Sequence, residues 1–251
     1  MMGNRQEKEM HQEAGMTGKN ISLYDYHKKM AEYHYKHYQS MAGRRLKAQS
    51  PKSNTIAALT VKRILHWPLN LSYFEVSGLK DPEIERCINE LILKKTYDLV
   101  AAQKKRSKNL IQIIGSYDVK LNRDGLLSIY FQNYSIGKAA ACGLILADSL
   151  TVDMDMGKIY GLKDLFQEES PYIQRLNTYI KQQIKTKKIQ LITDFHTIHR
   201  DQQFYLTPQA IGIYFQTYAY TPYVYGIPQF MIPYNSLTDF ILVEGPLPRL
   251  L

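Results

Sequence analysis

The sequence predicts an α+β fold: a mainly antiparallel sheet with two principal helices on one face, built from an internally duplicated helix-plus-hairpin unit. Three observations predict it. IYFQNY at 129–134 returns as IYFQTY at 213–218, an offset of 84 residues. Two segments, each opened by a capping residue and a proline, carry apolar residues at helical spacing. Each is followed by segments that alternate with period two. Self-similarity at a fixed offset marks a duplication, and one deletion after the motif brings Gly226 opposite Gly143.

Residues 1–20 are polar and glycine-containing, which predicts disorder. In 21–47, Leu23, Tyr26, Met30, Tyr33 and Tyr38 predict a helix with an aromatic stripe and a basic opposite face, ending near Gly43. AQSPKSN, 48–54, reads as a linker. TIAALTVKRILHWPLNLSYFEV then offers two strands interrupted at Pro68, which has no ladder N–H. Asp81-Pro82-Glu83 opens the first principal helix, with Ile84, Ile88, Leu91, Lys95 and Leu99 at helical spacing. Lys104, Lys105, Arg106 and Lys108 suit its negative end. Strands IQIIGSYDVKL, LLSIYFQNY and ILADSLTVDM follow, the first two joined by a turn at Asn122–Gly125.

The second principal helix opens with Ser170-Pro171 and sets Ile173, Leu176, Ile180 and Ile184 on one face. LTPQAIGIYFQTY and QFMIPYNSL read as its strands, with a turn at Thr207-Pro208-Gln209. The expected organisation is a leading segment, 1–54, and a domain over 55–251 made of two related halves, about 55–166 and 167–251.

At 251 residues, with 45% apolar and 22% charged side chains, the chain can bury a sizeable core. Its net charge of +9 lies wholly in residues 1–108, which hold 20 Lys/Arg against 11 Asp/Glu; the remainder is balanced, 12 against 12. That asymmetry suits an anionic partner or an ordinary solvated basic surface. Lys28, Lys29, Lys36, Arg44, Arg45 and Lys47 suit docking of the leading helix onto a protein partner or onto its own domain. No nucleic-acid module is recognisable. The longest apolar stretch, Ala139–Ala147, is far shorter than the ~20 residues of a membrane span. The polar start predicts a cytoplasmic protein, or one whose export segment is absent from this sequence. Cys87 and Cys142 form no spacing motif, and Cys87 falls on an apolar helix face.

Chemistry-bearing patterns are weak. His196 and His199 share an H-x-x-H spacing near Asp194, and His27, His34 and His37 fall on the leading helix, but neither set has a zinc pattern. Asp153, Asp155 and Gly157 begin like a calcium loop whose later glutamate is missing. No serine-nucleophile elbow or phosphate loop occurs. No cofactor, metal or catalytic set is therefore expected. The strongest candidate is the run 204–237, with seven tyrosines and four prolines. Tyrosine joins a rigid apolar body to a polar handle, and proline lowers the ordering cost of binding. As strand residues, Tyr218 and Tyr220 would share one face, as would Tyr223 and Tyr225. Pairing Ala139, Ala140, Ala141 and Cys142 with Pro222, Tyr223, Val224 and Tyr225 further predicts an alanine strip that leaves room for tyrosine rings.

These residues also carry a resemblance. LNLSYFEVSGLKDPEIERCINELI, 69–92, resembles the N-terminal module of RsiV-like anti-sigma sensors and PdaC-type peptidoglycan deacetylases. LTVDMDMGKIYGLKDLF, 150–166, resembles the family's D-x-x-x-G-K segment followed by L-K-D-L-F. Tyr218, Pro222, Tyr223, Gly226 and Ile227 fall on its aromatic, P-Y and G-I positions. The family's usual G-A-H-G is replaced by Ala140, Ala141, Cys142 and Gly143. The resemblance covers roughly 55–240 and implies a non-enzymatic outer domain that binds lysozyme or peptidoglycan, and an extracytoplasmic setting. The expected ligand-binding residues are Tyr134, Ser135, Tyr218, Tyr220, Pro222, Tyr223, Tyr225 and Gly226. The competing expectations are an intracellular or spore-associated structural protein that kept the fold and lost its ligand, and an enzyme acting on cell-wall sugars.

Overall fold

The computed structural model describes Lys29, residues 53–107 and residues 109–251. The expected disordered start, the leading basic helix and the linker up to Lys52 lie outside the described residues, apart from Lys29, as does Lys108. Ser53 is already anchored: its hydroxyl donates to Thr55 Oγ1, which donates to Asp155.

Strands β1 (Ala58–His66) and β2 (Leu69–Ser77) form an antiparallel hairpin in register from Ala58↔Ser77 to His66↔Leu69. The turn between them holds a cis Trp67–Pro68 bond. Helix α1 (Pro82–Arg106) starts where the sequence predicts it. Asp81 caps it by accepting from Glu83 N–H at 2.9 Å and Ile84 N–H at 3.4 Å, and Pro82 fills a first-turn position where no donor is needed. Its buried stripe includes Ile84, Cys87, Ile88, Leu91, Ile92 and Leu99. This 25-residue crossover returns the chain to the same end of the sheet, so β3 (Leu110–Arg123) runs parallel to β2 through Leu69↔Ile113. That single parallel pair is additional to the antiparallel pairing the alternation predicts.

Asp124 and Gly125, at φ of 54° and 73°, make the two-residue turn into β4 (Leu126–Gly137), which pairs with β5 (Leu144–Asp153). The sheet order is β1-β2-β3-β4-β5. Along β4 the period-two pattern sorts side chains to opposite faces. Leu127, Ile129 and Phe131 pack under α1, while Leu126 and Tyr130 face the second half of the molecule.

The second half repeats the order of helix and three antiparallel strands: α2 (Tyr172–Thr186), β6 (Phe204–Leu206), β7 (Ala210–Tyr214) and β8 (Gln229–Pro233), in sheet order β6-β7-β8. The repeated motif begins in the middle strand of both meanders, β4 and β7. Leu176 and Ile180 are buried on α2 as predicted, with Ile173 and Ile184 partly so. Ser170 does not cap this helix, because its hydroxyl donates to Gln167 O at 2.7 Å; Pro171 stands at the cap position without a side-chain acceptor.

The strands thus form two sheets, each with its own helix, rather than one shared sheet. The reason lies on the outer edge of β5. Ile145 O accepts from Thr217 Oγ1 at 3.3 Å, and Ala147 exchanges both backbone groups with the Gln216 amide at 3.0 and 2.7 Å. Ser149 N–H bonds Asp148 Oδ1, Thr151 O accepts from Tyr160 N–H, and Asp153 N–H bonds Lys158 O. With that edge occupied, β6 crosses the open face of the sheet instead, and its Leu206 N–H bonds the buried Ser128 hydroxyl at 2.9 Å. Tyr130 and Tyr214, equivalent positions in the two copies, meet edge to face at this junction with centroids 5.1 Å apart.

A second tie joins the last residues to the first sheet. Arg249, 6% exposed, bonds the fully buried carboxylate of Asp153 at 2.6 Å. Asp153 also accepts from Tyr160 Oη, Asp155 N–H and Met156 N–H. The D-x-D-x-G segment is therefore a turn closed on its own first aspartate.

Candidate functional site

Both copies of the repeated motif end on a tyrosine, Tyr134 and Tyr218, and the fold brings these ends together. The β4–β5 connection carries Ala139 at φ 65° and returns through Gly143. A methyl group built on Gly143 would stand inside the ring of Tyr134, so glycine there lets the ring lie flat on the backbone. Strand β7 stops at Tyr214, and Tyr218 adopts φ 68°, which no strand residue does. Gln216 and Thr217 fasten this segment to β5, fixing Tyr218 beside the loop that holds Cys142.

The rings of Tyr218 and Tyr223 stack with centroids 5.9 Å apart. Burial raises both hydroxyls above the ordinary tyrosine value; the Cys142 thiol adds to this at Tyr218, and Tyr134 and then Cys142 add to it at Tyr223. The stacked rings of Tyr218 and Tyr223, the Cys142 thiol at the Tyr218 hydroxyl and the Tyr134 ring against the neighbouring Gly143 form one cluster. Pro222–Gly226 is a tight turn, with Tyr225 N–H bonded to Pro222 O and Gly226 N–H to Tyr223 O. Gly226, at φ 62° and ψ −128°, occupies backbone space essentially closed to other residues. Tyr225 is exposed, and its hydroxyl accepts from Gln190 N–H at 3.1 Å, bracing the turn against the loop after α2. At the tip stands Val224, 85% exposed, while Tyr218 is 52% exposed.

Tyr134, Tyr218, Pro222, Tyr223, Tyr225 and Gly226 thus belong to one surface. Two expected residues do not. Tyr220 packs its ring against Phe215 at 4.8 Å and Phe195 at 5.4 Å, in the core of the second half. Ser135 is buried in β4. The same-face strand pairing of Tyr218 with Tyr220 and of Tyr223 with Tyr225 does not occur, because the chain has left the sheet by Tyr218 and residues 223–225 form a 3₁₀ turn. Ala139, Ala140 and Ala141 are solvent-exposed rather than packed under rings; the small residue that accommodates a tyrosine is Gly143. Val224 and Cys142 are the site residues the sequence reading passed over. An apolar residue between two tyrosines in a P-Y-V-Y-G turn was a signal for the first. His196 and His199 are exposed, and among the described residues no group of three or more His, Cys, Asp or Glu is placed to hold a metal ion. Cys87 is buried, and burial foremost pushes its thiol up to about 11. No helix among the described residues is long and apolar enough to cross a membrane.

What the surface offers chemically is four aromatic bodies and an aliphatic tip on a braced frame. Such a surface recognises shape and apolar area. Residues 163–235 match the sequence family described as protein of unknown function DUF3298. The chain is 30% identical over 185 residues to the anti-sigma-V factor RsiV of Bacillus subtilis strain 168; the match takes in 67% of this chain and 64% of that protein. Its fold is similar to the crystal structure of a DUF3298 family protein from Pseudomonas aeruginosa PAO1, with TM-score 0.57 and 14% identity over 77% of this chain and 98% of that one. A DUF3298 family member from Bacteroides fragilis NCTC 9343 gives TM-score 0.54 and 16% identity, over 79% and 99%. The chain thus spans less than two thirds of the length of RsiV, and its likeness to DUF3298 lies within residues 163–235.

Proposed function

We propose that the chain is a non-enzymatic sensing module whose recognition surface is built from Tyr134, Tyr218, Tyr223, Val224 and Tyr225. The observation that carries this reading is the convergence of the two repeat ends, Tyr134 and Tyr218, with the braced turn at 222–226, which leaves exposed aromatic and aliphatic area on a rigid frame. Rigid tyrosines lose little entropy on binding and are the residue type that dominates protein interfaces. Among the described residues no acid or imidazole belongs to this cluster. The resemblance to RsiV-like sensors favours lysozyme as the ligand, with a peptidoglycan fragment as the second candidate. Residues 69–92, in β2 and α1, are assigned to the module shared with PdaC-type deacetylases, and residues 55–251 to one domain of two related halves. A reading in which the fold survives without the ligand rests on Cys142, which stands where the family carries histidine and lies against the Tyr218 hydroxyl.

Calorimetric titration of the protein with lysozyme, and separately with soluble peptidoglycan fragments, tests the proposal. Saturable binding that weakens at least about tenfold in Tyr218→Ala and in Tyr223→Ala is expected. Absence of heat with both ligands, or unchanged affinity in both variants, would overturn it.

A further inference from the structure

The tyrosine surface continues onto the open face of the five-stranded sheet. Residues paired in register across a sheet stand side by side on one face. The pairings set Leu65 of β1, Asn70 of β2, Ile114 of β3, Tyr134 of β4 and Ile145 of β5 in a single row that crosses every strand. Their chain neighbours Leu69, Leu71, Ile113 and Leu146 are buried in clusters that include residues of α1, so the row looks away from that helix.

A solvated sheet face carries polar side chains. One row nearer the second half, Ser116 beside Gln132 follows that rule. In the Tyr134 row only Asn70 is polar, and Leu65 and Ile114 are 66% and 39% exposed. Among the described residues Leu65, Ile114 and Ile145 belong to no core cluster, so packing does not account for them. Trp67, the chain's single tryptophan, is 78% exposed in the turn at the β1 end of the row, and Tyr134 joins the other end to the tyrosine surface. At the usual strand spacing the row runs about 19 Å. Its aliphatic side chains offer nothing to the hydroxyls of a sugar, whereas the apolar core of a protein interface is made of such contacts. A standard protein interface also takes roughly 20–30 residues a side, far more than the tyrosine cluster supplies.

We propose that the tyrosine surface is one end of a longer protein-binding face, in which Leu65, Ile114, Tyr134 and Ile145 pack against an apolar patch of a folded partner protein. The inference rests on the recognition surface proposed above and narrows its ligand to a protein.

The test titrates lysozyme, and separately soluble peptidoglycan fragments, into the full chain and into Leu65→Lys, Ile114→Lys, Ile114→Thr and Tyr218→Ala. Lysozyme affinity should fall at least about tenfold in both lysine variants, as in Tyr218→Ala, and at least about threefold in Ile114→Thr, which keeps the β-branched shape. Melting temperatures should stay level, because exposed substitutions disturb a fold little. Lysozyme binding that depends on Tyr218 but on neither Leu65 nor Ile114 would overturn the longer face and leave the tyrosine surface standing. Fragment binding that depends on Tyr218, without binding of lysozyme, would do the same. No binding of either ligand overturns both readings. A parent that sediments as a dimer and becomes monomeric in Ile114→Lys would assign the row to a second copy of the chain. A melting temperature lowered by several degrees in all three row variants would assign it to the chain's own leading segment; either result overturns the proposal.

Discussion

Gly143 offers the sharpest test of how the candidate surface is assembled. Its backbone lies outside the positive-φ region, so nothing in its conformation requires glycine. What requires it is the Tyr134 ring, whose outer atoms occupy the space of a Cβ. Gly143→Ala must therefore push the ring off the backbone. Overpacking of this kind costs about 1–3 kcal/mol. The value should fall in the lower part of that range, because the displaced atoms are the far end of a partly exposed side chain. In a Tyr134→Ala background the obstacle is gone, and the same substitution should instead stabilise by about 0.4–1 kcal/mol by restricting the unfolded chain. The sign of the effect thus reverses between the two backgrounds. Urea unfolding of the parent, both single variants and the double variant closes the cycle, with an unchanged m-value as the check that only stability moved. An equal cost in both backgrounds would refute the account and place the requirement in the backbone.

Other expectations concern the frame. Arg249→Met leaves the fully buried Asp153 carboxylate without its ion-pair partner, which should cost about 3–5 kcal/mol; thermal melting should fall by roughly 6 °C or more, and adding Asp153→Asn should recover most of it. A single-variant loss within about 1 kcal/mol would remove the assignment of the pair as a major tie. Glu90 on α1 is raised to about 7, mainly by burial. Its folded value lies above its unfolded one, so the native state holds the extra proton and stability should decline as pH rises from about 4.5 to about 7, then level. Glu90→Gln should flatten that segment of the stability–pH curve; an unchanged slope would show that another group is responsible.

What could be read from the sequence was governed by local chemistry. Asp81-Pro82 fixes the start of α1, and Asp124-Gly125 fixes the β3–β4 turn, because cap and turn preferences act over a few residues. The duplication was legible for the same reason, since IYFQNY and IYFQTY each begin on a middle strand. The failures all involve a competing partner that local preference does not reveal. Ser170 had the composition of a cap, but Gln167 O took its hydroxyl. Tyr218 and Tyr220 looked like strand partners until Gln216, bonded to Ala147 across 69 residues, drew the chain out of the sheet. Six of the eight expected binding residues share a surface, yet Tyr220 was claimed by Phe195 and Phe215, neither of which its spacing could announce.

The occupied edge of β5 bears on how molecules of this protein can meet. A sheet edge templates further strands only through free backbone groups, and along β5 Ile145 O, both groups of Ala147, Ser149 N–H, Thr151 O and Asp153 N–H are already engaged, which leaves no continuous run for a new strand. The opposite edge, β1, has no strand on its outer side among the described residues, and Val61 and Leu65 are exposed along it. Strand addition through β1 can therefore join two sheets and then must stop, since both ends of the joined sheet would be β5. Growth into an open-ended fibre by this route is closed off at the second molecule.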